Sequence, residues 1–124
     1  MSSVVLVVDD DPVSVHLIQL ILERNDYTVV VAYNGTTGLT LAAEAQPNAV
    51  IIDDMMPGMT GGEMCRRMKN DPDLRDIPVV LISAGMRVQD ASYVHKAGAN
   101  YALIKPVLPK DLLRALDIVF GRLD

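Results

Sequence analysis

Five short apolar runs recur at fairly even spacing along the chain. They are rich in Val and Ile and do not alternate with polar residues: residues 4–8, 28–32, 49–52, 79–82 and 101–104. A strand that is buried on both faces has no solvent-facing side, so its sequence shows a continuous apolar run. The runs therefore predict five buried strands of a parallel sheet.

The segments between these runs have the apolar spacing of helices. The predicted helices cover residues 13–24, 35–46, a stretch from residue 60, residues 88–97 and a stretch from about residue 109. Asp11 with Pro12 fits the start of the first helix, and Asn34 fits the start of the second. Thr60 and Glu63 match a capping box, and Gly98 suits the position after the fourth helix. Strands and helices alternate throughout, which predicts an α/β fold with helices on both faces of the sheet.

Length and composition are those of one ordinary globular domain. The chain has 124 residues, half of them hydrophobic, and shows neither a linker nor a repeat, so we expect a single domain over residues 1–124. A net charge of −5 disfavours nucleic-acid binding. No run suits a signal peptide or a membrane span, and the single Cys65 fits a reducing cytoplasm. Cys65, His16 and His95 are interpreted as packed or solvated helix residues.

Chemically active side chains follow four of the five predicted strands. In chain order they are Asp9, Asp10, Asp11, Asp53, Asp54, Ser83 and Lys105. Ligands of open α/β sheets bind at the carboxyl ends of the strands, so these groups should meet at one edge. Clustered carboxylates repel one another and favour a bound cation. Oxygen ligands without His or Cys indicate Mg²⁺, with Mn²⁺ as the alternative.

Each of these residues also has an ordinary structural interpretation. Asp11 is expected to cap the first helix, Ser83 alone would fit a loop hydroxyl and a functional group equally well, and Lys105 alone would be a solvated surface residue. Their combination favours phosphoryl transfer. A carboxylate beside a metal can attack phosphorus, while a lysine and a hydroxyl stabilise the charge on the phosphoryl oxygens.

The motifs around these residues resemble the receiver domain of bacterial two-component response regulators, of the chemotaxis-regulator type. They are residues 7–11, 51–58, 82–84 and 105–106, with smaller matches at 34–35 and 97–99. The resemblance covers essentially the whole chain. It implies a flavodoxin-like, doubly wound, five-stranded parallel sheet in the order 2-1-3-4-5, with five helices.

The resemblance also implies a role for each residue at the strand ends. Asp53, four residues before Pro57, would accept the phosphoryl group, and Ser83 and Lys105 would contact that group. The implied metal ligands are Asp9, Asp10, Asp53 and the backbone carbonyl of Met55. A histidine kinase or phosphotransfer protein would be the donor. Phosphorylation would switch the surface of the fourth helix, fifth strand and fifth helix for an output partner or a fused output domain.

Two neighbouring acids compete for the phosphoacceptor role. Asp53 and Asp54 are adjacent in a strand, so their side chains should point to opposite faces, and only one can reach the Asp9–Asp10 pair. The spacing to Pro57 selects Asp53. Asp54 stands where the family more often has an apolar residue, and we expect it to be solvated or hydrogen-bonded nearby.

Other positions also depart from the family pattern. The family usually has an aromatic residue three positions before the lysine, where this chain has Ala102. Tyr101 should face the other side of the strand and pack on a helix. We therefore expect phosphorylation to shift the loop after Ser83 without an aromatic switch. Neither Met55 nor Gly85 can act as a base, so no specially fast self-hydrolysis is expected.

A receiver domain is not a classical enzyme, although it would supply the catalytic residues for its own phosphorylation and dephosphorylation. Two other kinds of protein remain as alternatives. A phosphatase with an aspartyl intermediate generally needs a second acid two residues after the nucleophile, where this chain has Met55, and a cap domain is absent. A docking module that kept only the fold would not need the complete set of acids, hydroxyl and lysine.

Overall fold

The computed structural model describes residues 3–123, which form one five-stranded sheet covered by helices on both faces. The strands are β1 (Val4–Val8), β2 (Thr28–Ala32), β3 (Ala49–Asp53), β4 (Val79–Ser83) and β5 (Tyr101–Ile104). The helices are α1 (Pro12–Glu23), α2 (Gly35–Ala45), α3 (Gly61–Lys69), α4 (Ala91–Ala97) and α5 (Pro109–Val119), with a 3₁₀ helix at Met86–Gln89. All strand pairs are parallel, in the order β2-β1-β3-β4-β5, which confirms the predicted α/β fold.

Alternate residues of each strand pack against two different layers of helices, because successive side chains point to opposite faces. In β1, Val7 belongs to a buried cluster with Leu22 of α1 and Leu116 of α5. The next residue, Val8, belongs to the opposite cluster, which includes Met64 of α3. Both faces of the sheet are therefore apolar, which explains why the strands lack a polar alternation.

Three of the predicted helix starts have the expected side-chain caps. Asp11 accepts a hydrogen bond from the Val13 amide at 3.0 Å, and Asn34 accepts one from Thr37 at 2.8 Å. Thr60 accepts one from the Glu63 amide at 3.1 Å, which forms one half of the predicted capping box. The Glu63 carboxylate lies 3.8 Å from Arg67 instead. These caps fix where α1 and α3 begin, after the loops that follow the strand ends of the candidate site.

The prediction of one continuous helix over residues 88–97 was wrong at its start. A 3₁₀ helix occupies Met86–Gln89, and α4 begins afresh at Ala91. Asp90 separates the two because its carboxylate accepts a hydrogen bond from the Ser92 amide at 2.9 Å, as an N-cap does. Gly98 ends α4 in the left-handed conformation at φ +81°, as predicted.

Two of the strands extend one residue further than their apolar runs. β3 ends at Asp53 and β4 ends at Ser83, so both polar residues belong to the sheet itself. None of the helices within residues 3–123 has the length and apolar character needed to cross a lipid bilayer.

Candidate functional site

The site lies at the carboxyl ends of β1 and β3, which are neighbours in the sheet. Asp9 directly follows β1 and is completely buried, and one of its oxygens accepts a hydrogen bond from the Asp11 amide at 2.9 Å. Asp53 is the last residue of β3 and is only 5% exposed. Asp10, in contrast, is exposed to solvent. Two carboxylates therefore form the floor of the site, and a third stands at its rim.

Lys105 brings its ammonium group between the two buried acids. Its Nζ atom lies 3.0 Å from an oxygen of Asp9 and 3.3 Å from an oxygen of Asp53, and it also lies 3.3 Å from the Ser14 hydroxyl on α1. Lys105 directly follows β5, at the far side of β4 from Asp53, and it reaches back across the edge of the sheet. The predicted acids and the predicted lysine therefore share one cluster.

The electrostatics of this cluster leave Asp53 short of positive charge. Burial raises the pKa of Asp53 to about 6, and repulsion by Asp9 adds to this, while Lys105 and the Met55 amide act in the opposite direction. Burial alone would lower the pKa of Lys105, but its hydrogen bond to Asp9 and the charges of both acids raise it overall. One ammonium group thus does not offset the paired carboxylates, and a further cation would be stabilised here.

The geometry of the acids suits a divalent cation. Asp9, Asp10 and Asp53 each offer a carboxylate oxygen, and these three oxygens all lie within 4.8 Å of one another. An all-oxygen donor set suits a hard ion such as Mg²⁺. Two of the acids are buried beside each other, so the fit rests on unbalanced charge as well as on distance.

Ser83, the last residue of β4, and Met55, on the loop that follows β3, flank the cluster. The Ser83 side chain is fully buried, and its hydroxyl oxygen accepts a hydrogen bond from the Gly85 amide at 2.9 Å. The Met55 amide donates to an oxygen of Asp53 at 3.3 Å, while its side chain is largely exposed. Both residues lie at the strand ends where the sequence predicted them.

Asp54 points to the opposite face of β3, as predicted, but it is not solvated. It is only 1% exposed, and one of its oxygens accepts hydrogen bonds from the Gly62 amide at 2.9 Å and from the Tyr93 hydroxyl at 2.7 Å. Its other oxygen lies 3.0 Å from a guanidinium nitrogen of Arg87, as an ion pair without an aligned hydrogen bond. The nearby hydrogen bonding that the sequence suggested is present, and solvation is excluded.

Sequence reasoning missed Arg87 and Tyr93 as partners of Asp54. Both lie more than 30 positions further along the chain, on the segment whose helix start was predicted wrongly. The one available signal was Asp54 itself, since an acid on a buried strand face requires partners. Burial, with the hydrogen bond to Asp54, raises the pKa of the Tyr93 hydroxyl, so that hydroxyl remains a donor.

The residues that depart from the family pattern lie where strand alternation placed them. Tyr101 packs with the cluster formed by α1 and α5, and Ala102 packs with the opposite cluster. Cys65 is buried, which raises the pKa of its thiol to about 11 and makes it a poor nucleophile. His16 and His95 are exposed on α1 and α4, so neither enters the acidic cluster.

A family model for the response regulator receiver domain matches residues 5–117. The chain belongs to the receiver domain family of response regulators. The response regulator PleD of Caulobacter vibrioides contains a region that is 42% identical to this chain over 111 residues, which cover 86% of the chain. The chain spans 24% of PleD's length.

Solved structures of other receivers share this fold. The chemotaxis response regulator CheY4 of Vibrio cholerae superposes with a TM-score of 0.89 at 27% identity, covering 96% of this chain and 99% of its own. The receiver domain of a sensor histidine kinase from Pseudomonas aeruginosa superposes with a TM-score of 0.88 at 25% identity, covering 98% and 99% of the two chains. That structure has a magnesium ion coordinated in its active-site cleft.

Proposed function

We propose that this receiver domain, acting as one unit over residues 1–124, accepts a phosphoryl group on Asp53 from the phosphohistidine of a histidine kinase or phosphotransfer protein. The observation that carries this proposal is the buried pair of Asp9 and Asp53 with Lys105 between them, open to solvent on the side of Asp10. A cluster built only for stability would not keep two neighbouring carboxylates so poorly compensated.

The proposed transfer needs Asp53 as an ionised nucleophile. With a pKa of about 6, Asp53 is mostly ionised at neutral pH. One carboxylate oxygen forms a bond to phosphorus, and the bond from phosphorus to the histidine nitrogen of the donor breaks. The electron pair of that bond returns to the imidazole, which takes up a proton from water. Lys105 and the Ser83 hydroxyl then stabilise charge on the phosphoryl oxygens.

We assign the metal ligands to Asp9, Asp10, Asp53 and the backbone carbonyl of Met55. Mg²⁺ is the preferred ion because all these donors are oxygens, and Mn²⁺ is the alternative. When bound, the ion would neutralise the acids and the incoming phosphoryl oxygens. Asp9 and Asp53 hold their positions without the ion, because Lys105 binds one oxygen of each acid and a backbone amide binds the other oxygen of each.

The proposed output is a change at the surface formed by α4, β5 and α5. Ser83, at the end of β4, is the group through which the phosphoryl oxygens would reach the loop that leads to α4. A partner protein or a fused output domain would then read the altered surface. We infer no nucleic-acid or membrane contact by this domain itself.

Mass spectrometry tests the proposal directly. Wild-type protein incubated with Mg²⁺ and acetyl phosphate should gain the mass of one phosphoryl group, and the Asp53→Asn variant should gain none. Asp54→Asn is the matched control, because it changes the neighbouring acid without altering the cluster around Lys105. A phosphorylated Asp53→Asn protein, or an unphosphorylated wild type, would overturn the assignment.

A further inference from the structure

We propose that Asp54, Arg87 and Tyr93 form a latch that couples the phosphorylation state of Asp53 to the position of α4. This coupling rests on the proposed phosphorylation of Asp53. It assigns a role to an acid that the phosphoryl-transfer site does not use, although that acid directly follows Asp53 at the end of β3. The latch connects three segments: the end of β3, the 3₁₀ helix and α4.

The first observation is the burial of Asp54. An ionised carboxylate that is 1% exposed is costly unless its oxygens are paired, so each of its partners must stay in place while it stays buried. The Tyr93 hydroxyl at 2.7 Å and the Arg87 guanidinium at 3.0 Å supply two of these partners. The third, the Gly62 amide, belongs to the start of α3.

The partners also hold each other. The Arg87 guanidinium lies over the Tyr93 ring, 5.1 Å from its centroid, in the arrangement of a cation–π contact. Arg87 lies on the 3₁₀ helix and Tyr93 on α4, so this contact joins the two helices to one another as well as to β3. Movement of either helix therefore disturbs both contacts of Asp54.

The segment held by the latch has little other anchorage. Within α4 the one buried residue is Ala97, at the last turn, and within the 3₁₀ helix it is Val88. A short helix with so few buried apolar groups opens at low free-energy cost, so a polar latch makes up a large share of its attachment. The latch thus lies on the segment whose position is easiest to change.

The start of α3 packs closely against the Tyr93 hydroxyl and the backbone of Asp53. A Cβ atom added at Gly62 would collide with that hydroxyl, and one added at Gly61 would lie 2.5 Å from the carbonyl oxygen of Asp53. The start of α3, the backbone of Asp53 and the Tyr93 ring are therefore packed as one unit. A shift at the phosphoacceptor strand end cannot be absorbed by empty space on the α4 side.

Ser83 supplies the contact that differs between the two states. In this structure its hydroxyl oxygen accepts a hydrogen bond from the Gly85 amide, two residues before Arg87. Turning toward a phosphoryl oxygen on Asp53 would break that bond and release the loop that carries Arg87. A covalent group shifts a conformational equilibrium only through such a differential contact. Phosphorylation is therefore expected to open the latch.

The latch lies on the face of the sheet where β5 carries Ala102 instead of the aromatic residue usual in the family. Ala102 and Tyr93 pack against the same apolar cluster, so the aromatic side chain on this face comes from α4. Here the ring is bound to the residue beside the phosphoacceptor, through its hydroxyl group. The signal to α4 would then pass through Asp54 and the Ser83 loop.

Hydrogen exchange of the amides of residues 84–97 tests the latch. In wild type, Mg²⁺ with acetyl phosphate should speed their exchange by about tenfold, because opening the latch removes a hydrogen bond to a charged group. Tyr93→Phe keeps the ring and removes one oxygen, so its exchange should already be fast and should change little on phosphorylation. Tyr101→Phe removes a hydroxyl from the opposite face and should behave as wild type.

Masses recorded on the same samples separate the two proposals. A mass gain with a Tyr93→Phe response equal to that of wild type overturns the latch and leaves the phosphoacceptor assignment intact. No mass gain in wild type overturns that assignment and the latch with it.

Coupling must also be reciprocal. If phosphorylation opens the latch, opening the latch should favour a phosphoryl mimic on Asp53. Tyr93→Phe should therefore bind beryllium fluoride with Mg²⁺ about fivefold more tightly than wild type does. Asp54→Asn, which keeps the acceptor for Tyr93 and removes the charge that pairs with Arg87, should lie between the two. Equal or weaker binding by Tyr93→Phe would contradict the latch.

Discussion

Asp53 and Asp54 are consecutive acids with opposite surroundings. Asp53 faces a second buried carboxylate and shares one ammonium group with it, so burial and repulsion raise its pKa to about 6. Asp54 faces an amide, a hydroxyl and a guanidinium group, each supplied by a different segment. The contrast supports a division of roles: the poorly compensated acid is the proposed phosphoacceptor, and the acid that is paired with three segments is the proposed connection to α4.

The largest effect is expected on the Asp53 side. Lys105→Met removes the ammonium group that lies within 3.3 Å of Asp53 and keeps the length of the side chain. Losing one preorganised charge at a transferred phosphoryl group costs about 100-fold in rate. The initial rate of phosphorylation by acetyl phosphate, followed by mass, checks this. An Arg87→Met control removes a cation from the Asp54 side and should change that rate by far less.

The next effect is expected on the Asp54 side, in stability. Asp54→Leu leaves the Gly62 amide and the Tyr93 hydroxyl without their acceptor, which should lower the free energy of unfolding by about 2–3 kcal/mol. Urea denaturation without divalent cations measures this change. If Asp54→Leu were as stable as wild type, the partners of Asp54 would not be holding the structure together, and the contrast between the two acids would fail.

A smaller effect of opposite sign is expected for Asp53→Asn. Since the folded-state pKa of Asp53 is raised to about 6 from 3.8, the folded protein binds more protons than the unfolded chain between these values. The contribution of Asp53 to the free energy of unfolding therefore falls as pH rises from about 4 through 6. At neutral pH without metal, Asp53→Asn should be more stable by about 1–2 kcal/mol, after allowance for solvent screening.

Melting curves from pH 4 to pH 8 check the sign of this effect. The difference in stability between Asp53→Asn and wild type should widen from about pH 4 to pH 6 and then level off. It should narrow when Mg²⁺ is added, because the ion would neutralise the wild-type cluster. A gap that shrinks as pH rises would show that Asp53 is already well compensated.

The smallest effect concerns Ser14, which lies 3.3 Å from the Lys105 ammonium group. Ser14→Ala removes a long hydrogen bond that helps to orient the lysine. We expect phosphorylation by acetyl phosphate to slow by about twofold, as suits a bond worth about 0.5 kcal/mol. Ser92→Ala, on the exposed surface of α4, is the control and should not alter the rate.

The sequence predicted those parts of the molecule that depend on local pattern. Buried parallel strands show themselves as apolar runs, and Asp11, Asn34 and Thr60 cap helices through bonds to amides two or three residues away. Asp53 and Ser83 follow from their places at strand ends. The roles assigned to them remain predictions that the phosphorylation experiments test.

The sequence did not predict what depends on approach between distant segments. The hydrogen bond of Tyr93 to Asp54 joins residues 39 positions apart, and no periodicity marks such a pair. The split between the 3₁₀ helix and α4 was missed because the Asp90 cap competes with a continuous helix within a weakly apolar stretch. Both failures fall on the segment that the proposed latch controls.

The exposure of Asp10 has a kinetic consequence. Asp9 and Asp53 are buried, so a cation would reach them past the carboxylate at the rim, and the chain's net charge of −5 would attract it. The same field repels an anionic phosphodonor, which favours an ordered sequence in which the cation arrives first. Long-range charge affects both encounters, and salt screens it. As ionic strength rises, the association rate of the cation should therefore fall and that of the anionic phosphodonor should rise.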